Sequence, residues 1–446
     1  MKLLLMTPLS LYVREIPEIP DLGLGYLATA LRKSGHTVLL EDWGSRLGPD
    51  GLAALLKSSR PDLVGLKVFT KDAAGARKTI DVIRQALPEA VVVIGGPHPS
   101  ACEPASLIAD FDRADYALRG EAEASLPQLL AILQALKVGQ SPAADDLRRV
   151  PGLVFRQAGL VVANDVLFNP DLDSFDYPSW DLIDPRKRAT AMLGTGGAGP
   201  VAPIVTTRGC PGRCSYCCAF AVNGRKIRAR SPENVIAEIR MLYDTYGVRR
   251  FMFMDNCFTS IRGNLVRLCE LIIASGLAIE WDCASYETLA NLTDGNLALM
   301  RRAGCTMIHM GIESGSERVR ATISKRSELA EITRTIKAIR LSGIRLTAWF
   351  MIGFPGERLS DMLQTIRYAF GSGADLITFS LVFPLPGSDV YEQLRRQDGV
   401  EDIRWSRFEK VQPPYSLSRL PVWQLTLLLG LVRLALRVRH RLRRPA

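Results

Sequence analysis

Cys210, Cys214 and Cys217, within CPGRCSYCC, carry three thiols at C-x3-C-x2-C spacing directly after an apolar run, APIVTTRG. Thiols this close on a loop suggest an iron-sulfur cluster. A closed structural zinc site takes four protein ligands, whereas a cubane cluster held by three cysteines leaves one iron open to a small molecule. The nearest fourth thiol, Cys218, adjoins Cys217, and neighbouring side chains diverge too far to close one tight site easily. A zinc knuckle and three core cysteines in chance proximity are the competing readings.

The triplet, with aromatic Tyr216 just before its last cysteine, resembles the signature of the radical S-adenosylmethionine (SAM) superfamily. The resemblance implies a 4Fe-4S cluster on Cys210, Cys214 and Cys217 whose open iron chelates the amino and carboxylate groups of SAM. Reduction would then cleave SAM to methionine and a 5'-deoxyadenosyl radical. On the same resemblance Tyr216 lies beside the adenine; the alternative is a loop aromatic packed at the barrel mouth.

The elements that must position this loop read as two βα series. The first, to residue 136, alternates short apolar runs (KLLLM, TVLLEDWG, DLVGLKVF, AVVVIGGP, ADYALRGE) with amphipathic segments, which predicts an α/β, doubly wound, mostly parallel Rossmann-like sheet. Its ligand would lie beyond the carboxyl ends of the strands, at the loops holding Leu24 and Gly25, Thr70, Gly95, Gly96 and His98, and Gly120 and Glu121. No G-x-G-x-x-G follows the first strand and there is no phosphate loop, so a dinucleotide or nucleoside triphosphate is poorly supported. LGLGYLATALRKSGH, GGPHPS and RGEAEASL together resemble the cobalamin-binding domain that precedes the radical domain in one branch of the superfamily, with RGEAEASL departing from the branch's usual GEGE. Residues 137–199 read as linker and connector with a small hairpin, VFRQAGLVVA.

The second series, 200–390, predicts a partial six-stranded βα barrel with functional residues at the strands' carboxyl ends. Asp255 and Asn256, Ser285, Glu313 and Ser314, then Gly353, Pro355 and Gly356 fall there, each also readable as an ordinary turn or cap. By resemblance, GIESGS sets Glu313 and Ser314 near the polar groups of SAM and IGFPGE sets Gly353 at its adenine, with Asp255 and Ser285 counted in the same cofactor site. Residues 391–446 form a helical extension whose apolar run is interrupted by Arg433, too short and too charged to span a bilayer. An interfacial helix touching the membrane peripherally and a helix packed on the barrel both remain open.

Composition bounds the rest. With 446 residues, 47% hydrophobic and 23% charged, the chain has room for two or three globular domains. Nine cysteines, mostly scattered, and no signal-peptide pattern lead to the expectation of free thiols in the cytoplasm. Cys102, Cys257, Cys269, Cys283 and Cys305 sit in or beside apolar runs and read as small buried hydrophobes. The net charge of +10 is concentrated in the last arginines, without a basic groove or motif for nucleic acid.

If the resemblance holds, SAM is both radical source and methyl donor, and the enzyme methylates an unactivated carbon with methylcobalamin. The substrate would be a small or lipophilic molecule and the electron donor a flavodoxin or ferredoxin. No histidine precedes His36, so the D-x-H-x-x-G motif that carries cobalt-ligating histidine is absent, and cobalamin without a histidine ligand is expected. The same architecture also runs ring contractions and oxidative cyclisations. A methylthiotransferase would need three further cysteines near the N-terminus, where Cys102 stands alone before residue 210. A corrinoid or redox-sensing protein without turnover is the non-enzymatic alternative.

Overall fold

The computed structural model describes residues 1–10, 19–42, 44–136, 142–187, 199–285, 289–396 and 416–443. The chain divides into two compact units, the first built on Met1–Thr190 with Cys218–Arg228 and the second on most of the remainder.

In the first unit, strands β1 (Lys2–Met6), β2 (Thr37–Glu41), β3 (Leu63–Lys67), β4 (Val91–Gly95), β5 (Tyr116–Leu118), β6 (Leu153–Gln157) and β7 (Leu160–Ala163) form one sheet in the order β2-β1-β3-β4-β5-β6-β7. The first five run parallel, and their nearly continuous apolar sequences suit strands covered on both faces. The order changes direction between β1 and β3, the switch point at which open α/β sheets bind ligands. Helix Leu22–Lys33 begins where Asp21 accepts the Leu24 amide at 2.9 Å, and it buries Leu24, Ala28 and Leu31 against Leu3, Leu5 and Val93.

The hairpin β6–β7 corrects one expectation. Rather than standing in a connector, it pairs antiparallel with β5 and lengthens the first sheet. Ala158 and Gly159, at φ 49° and 81°, make the two-residue turn whose twist matches paired strands, and Leu153, Val154 and Phe155 are buried. Of the expected linker, connector and tail, residues 137–141, 188–198, 397–415 and 444–446 lie outside the described residues.

In the second unit, β8 (Val201–Ile204), β9 (Arg250–Phe253), β10 (Glu280–Ser285), β11 (Cys305–Glu313), β12 (Arg345–Ile352) and β13 (Leu376–Leu381) pair in parallel, in chain order, with β8 and β13 at the edges. Helices such as Pro232–Tyr246, Arg262–Ser275 and Leu329–Leu341 fill the crossovers. Helix Val422–Arg443 packs on β13, burying Leu425, Leu429 and Val432, while the Arg439 guanidinium donates to the carbonyls of Phe370 and Ala374. Among the described residues no helix is long and apolar enough to cross a membrane.

Candidate functional site

The cysteine loop leaves the carboxyl end of β8, and its base is held by Asp255, just beyond β9. This buried carboxylate accepts the Thr206 amide at 3.0 Å, the Thr206 hydroxyl at 2.8 Å and the Thr207 hydroxyl at 2.6 Å, together with the Thr207 amide. Burial pushes its pKa up to about 6 against the pull of those donors. Asp255 thus fastens the loop instead of reaching a cofactor, because its oxygens are already engaged.

Farther along, the Ser215 amide donates to Ile323 O at 3.2 Å, Ser215 O accepts the Val390 amide at 3.0 Å, and the Cys217 amide closes a turn on Cys214 O at 3.1 Å. Cys210, Cys214 and Cys217 remain half-buried. Tyr216 meets Phe354 edge-on, centroids 5.7 Å apart, and its hydroxyl bonds Glu313. Burial, then the Glu313 charge, drives the phenol well above its usual range.

Glu313 ends β11 at φ 69°, a left-handed conformation costly for a residue with a side chain and typical of functional sites. It is buried, with Lys325 Nζ 3.8 Å away. Ser314 looks elsewhere: its hydroxyl lies 3.0 Å from Thr365 Oγ1 and accepts the Ser316 amide at 3.1 Å. Ser285 closes β10. Gly353, at φ 98°, follows β12 and donates its amide to Glu357 Oε2 at 2.6 Å, as Phe354 does at 2.9 Å.

Two residues near this centre escaped the sequence reading. Glu357 is fully buried, its Oε1 has no hydrogen-bond partner, and burial pushes its pKa up to about 7. It closes the IGFPGE segment, so its signal was present. Cys257 donates its thiol to Cys210 Sγ at 3.5 Å and had been read only as a small hydrophobe.

In the first unit the expected ligand loops divide. Thr70, Gly95, Gly96 and Gly120 cluster beyond β3, β4 and β5. There His98 Nδ1 is 3.2 Å from Thr70 Oγ1, the His98 amide donates to Val68 O at 3.0 Å, and the Gly120 amide donates to Ser100 Oγ at 2.9 Å. Burial, with Arg77 nearby, lowers the His98 pKa to about 4, so the ring is neutral. Gly96 and Gly120 have φ of 94° and 75°, and a Cβ on Gly96 would press within 3.2 Å of the Val68 amide.

The other three residues are committed to packing. Leu24 is core. A Cβ on Gly25 would sit 2.7 Å from Ile183 Cδ1, so its smallness admits the connector. Glu121 takes both arms of the Arg228 guanidinium, at 2.7 and 2.9 Å, and the Asn169 amide at 3.1 Å, leaving little acceptor capacity for a ligand.

Comparison with known proteins agrees with this arrangement. Residues 16–130 match the B12 binding domain, and residues 204–369 match the Radical SAM superfamily. The chain belongs to the cobalamin-dependent radical SAM family. It is 26% identical over 413 residues to an uncharacterized methyltransferase of Pyrococcus horikoshii, covering 92% of this chain and 86% of that protein. It is also 28% identical over 408 residues to the anaerobic magnesium-protoporphyrin IX monomethyl ester cyclase of Cereibacter sphaeroides, covering 90% of this chain and 64% of the cyclase. The fold resembles that of the radical SAM methyltransferase TsrM from Kitasatospora setae, whose structure holds tryptophan and a SAM analogue; the TM-score is 0.69 at 20% identity, covering 90% of this chain and 79% of TsrM.

For a radical SAM protein the donor set is chemically suitable. Among the described residues no group of three His, Cys, Asp or Glu side chains gathers as the ligands of one metal ion. A cubane instead takes each thiolate on a different iron, so half-buried cysteines spread along one fastened loop meet its needs. In the first unit, Gly96 and Gly120 let the loops beyond β4 and β5 pack closely, because a Cβ would press on the Val68 backbone at Gly96 and on the Val166 side chain at Gly120.

Proposed function

We propose that the protein is a cobalamin-dependent radical SAM methyltransferase acting on an unactivated carbon. The observation that carries this reading is a B12-binding domain joined to a cysteine loop at the carboxyl end of the first strand of a radical SAM sheet. Cys210, Cys214 and Cys217 would hold the 4Fe-4S cluster, with SAM against Tyr216, Glu313 and Gly353, and Thr70, Gly95, Gly96 and Gly120 would border the corrinoid. When bound, these groups supply the electron, the carbon radical and the methyl group. The chain's work is positional: Asp255 fixes the loop, Glu313 would present a carboxylate to the amino group of SAM, and the Tyr216–Phe354 pair shields one side from water.

We infer that cobalamin binds without a histidine ligand to cobalt, as the absent D-x-H-x-x-G motif leads one to expect. In the first unit, His98 is buried with Nδ1 3.2 Å from Thr70 Oγ1, and His36 Nδ1 lies 3.5 Å from the N-terminal amine. Anaerobic purification and reconstitution test the whole reading. One 4Fe-4S cluster and one corrinoid per chain are expected, with a cob(II)alamin resonance free of nitrogen splitting and with S-adenosylhomocysteine formed beside 5'-deoxyadenosine. A cluster without corrinoid would sink the methylcobalamin mechanism. The cyclase relative favours a second reading, radical chemistry without methyl transfer, which would yield 5'-deoxyadenosine and no S-adenosylhomocysteine.

The reading also requires a one-electron donor of flavodoxin or ferredoxin type. For the C-terminal helix we infer contact with an anionic membrane surface. Trp423, Leu427, Leu431, Leu434 and Val438 form one exposed apolar stripe, 50–65% accessible, and Arg433 and Arg437 flank it.

A further inference from the structure

Side chains alternate across the sheet of the second unit, and one face can be assigned. Trp281 donates its indole N–H to Ala303 O at 2.7 Å and packs on Phe253 and Phe258. Phe258 lies with Leu265 and Leu268 of helix Arg262–Ser275, so this face meets the helical layer. Asp282, the next residue, faces the other way. The register carries that inner face across the sheet: Met252 and Met307 align with Asp282, His309 with Ala284 and Thr347, and Trp349 with Gly311 and Thr378.

On this inner face lies a polar pair that nothing described above uses. Asp282 and His309 are 2% and 5% exposed, and their closest approach, Nε2 to Oδ2, is 3.5 Å. Asp282 Oδ2 and both ring nitrogens of His309 lack hydrogen-bond partners. The imidazole stacks on Trp349, centroids 5.4 Å apart and planes 20° from parallel, and Trp349 is half-buried. Buried polar atoms are almost always partnered, so three orphans at one spot beside an aromatic plate and methionines call for a guest that brings a donor and an acceptor. Thr378, in register with Trp349, is exposed, so the inner face is open on that side.

We propose that Asp282, His309 and Trp349 form the floor of the substrate chamber and select a flat, largely apolar molecule bearing one hydroxyl or amine. That group donates to Asp282 and pairs with His309, while the ring system lies along Trp349. The proposal rests on the radical SAM reading, which puts the reacting carbon near Glu313. His309 precedes Glu313 by four positions on β11, about 13 Å at the rise of a strand, so the substrate must be long enough to span that depth.

Binding of 2-naphthol and of naphthalene to the reconstituted full chain, by equilibrium dialysis, tests it. The expected result is a preference for 2-naphthol of roughly tenfold or more, because a site built to bond a hydroxyl rejects the analogue without one. Asp282→Leu and His309→Phe should each bring the ratio near unity while iron and cobalamin content stay at wild-type levels. Equal affinities in the wild type, no binding of either probe, or a preference that survives both substitutions would overturn the proposal. The wild-type ratio decides even if a variant does not fold. Failure of the radical SAM reading would show separately, as missing cluster or corrinoid.

Discussion

Two buried residues show how much a single side chain can carry. Glu357 is one. A buried acid whose pKa rises from 4.5 to about 7 binds its proton more tightly folded than unfolded, so stability is fullest below pH 4.5 and declines as pH rises to 7. The loss across that window amounts to about 3 kcal/mol at most, and Glu357→Gln should flatten the slope in urea titrations at pH 5 and 7.5. Cys257 is another. Its thiol donates to the sulfur of Cys210, and hydrogen bonds to cluster sulfurs raise the reduction potential. Cys257→Ala should therefore retain iron but titrate at a more negative potential in a redox titration followed by electron resonance. The cysteine triplet was legible because three thiols fall within eight residues of chain. Cys257 was not, because its contact with Cys210 spans 47 positions.

Elements show how a segment can be correctly typed and yet misplaced. VFRQAGLVVA reads as a hairpin from its turn and alternation, but only β5 decides that it extends the first sheet. Glu121 sits at a strand end, as a ligand residue would, but is spent on Arg228, which follows the cysteine loop by eleven residues. With both side chains about 95% buried, Arg228→Met should cost about 3–5 kcal/mol in urea unfolding by stranding the Glu121 charge, and Glu121→Leu on that background should recover much of it. The C-terminal helix makes the opposite point: its apolar and basic residues were plain, but which stripe faces β13 was not. Leu427→Glu with Leu431→Glu should abolish sedimentation with phosphatidylserine vesicles without lowering thermal stability, since both side chains are exposed. Equal binding to neutral vesicles would refute the electrostatic part.

At the scale of the molecule, each unit is built on a sheet of parallel strands, extended by an antiparallel hairpin in the first, and α/β folds place function beyond the carboxyl ends of such strands. A ligand that binds only the folded chain stabilises it by mass action. Cobalamin at a hundred times its dissociation constant should add about 2.7 kcal/mol to the unfolding transition that it reports on, and thermal melts with and without hydroxocobalamin check this. A melt unmoved by the corrinoid would remove it from the reading. The sequence by itself determined the two βα series, the order of the domains and the cysteine triplet, because apolar periodicity and the spacing of thiols are local properties of a chain. Only the tertiary structure decided that Asp255 fastens the loop, that Glu121 belongs to Arg228, that Gly25 makes room for Ile183, and that Asp282 Oδ2 and both ring nitrogens of His309 lie without hydrogen bonds on one inner face. Hydrogen-bond saturation and burial depend on neighbours brought together by the fold, and no spacing along one chain encodes them.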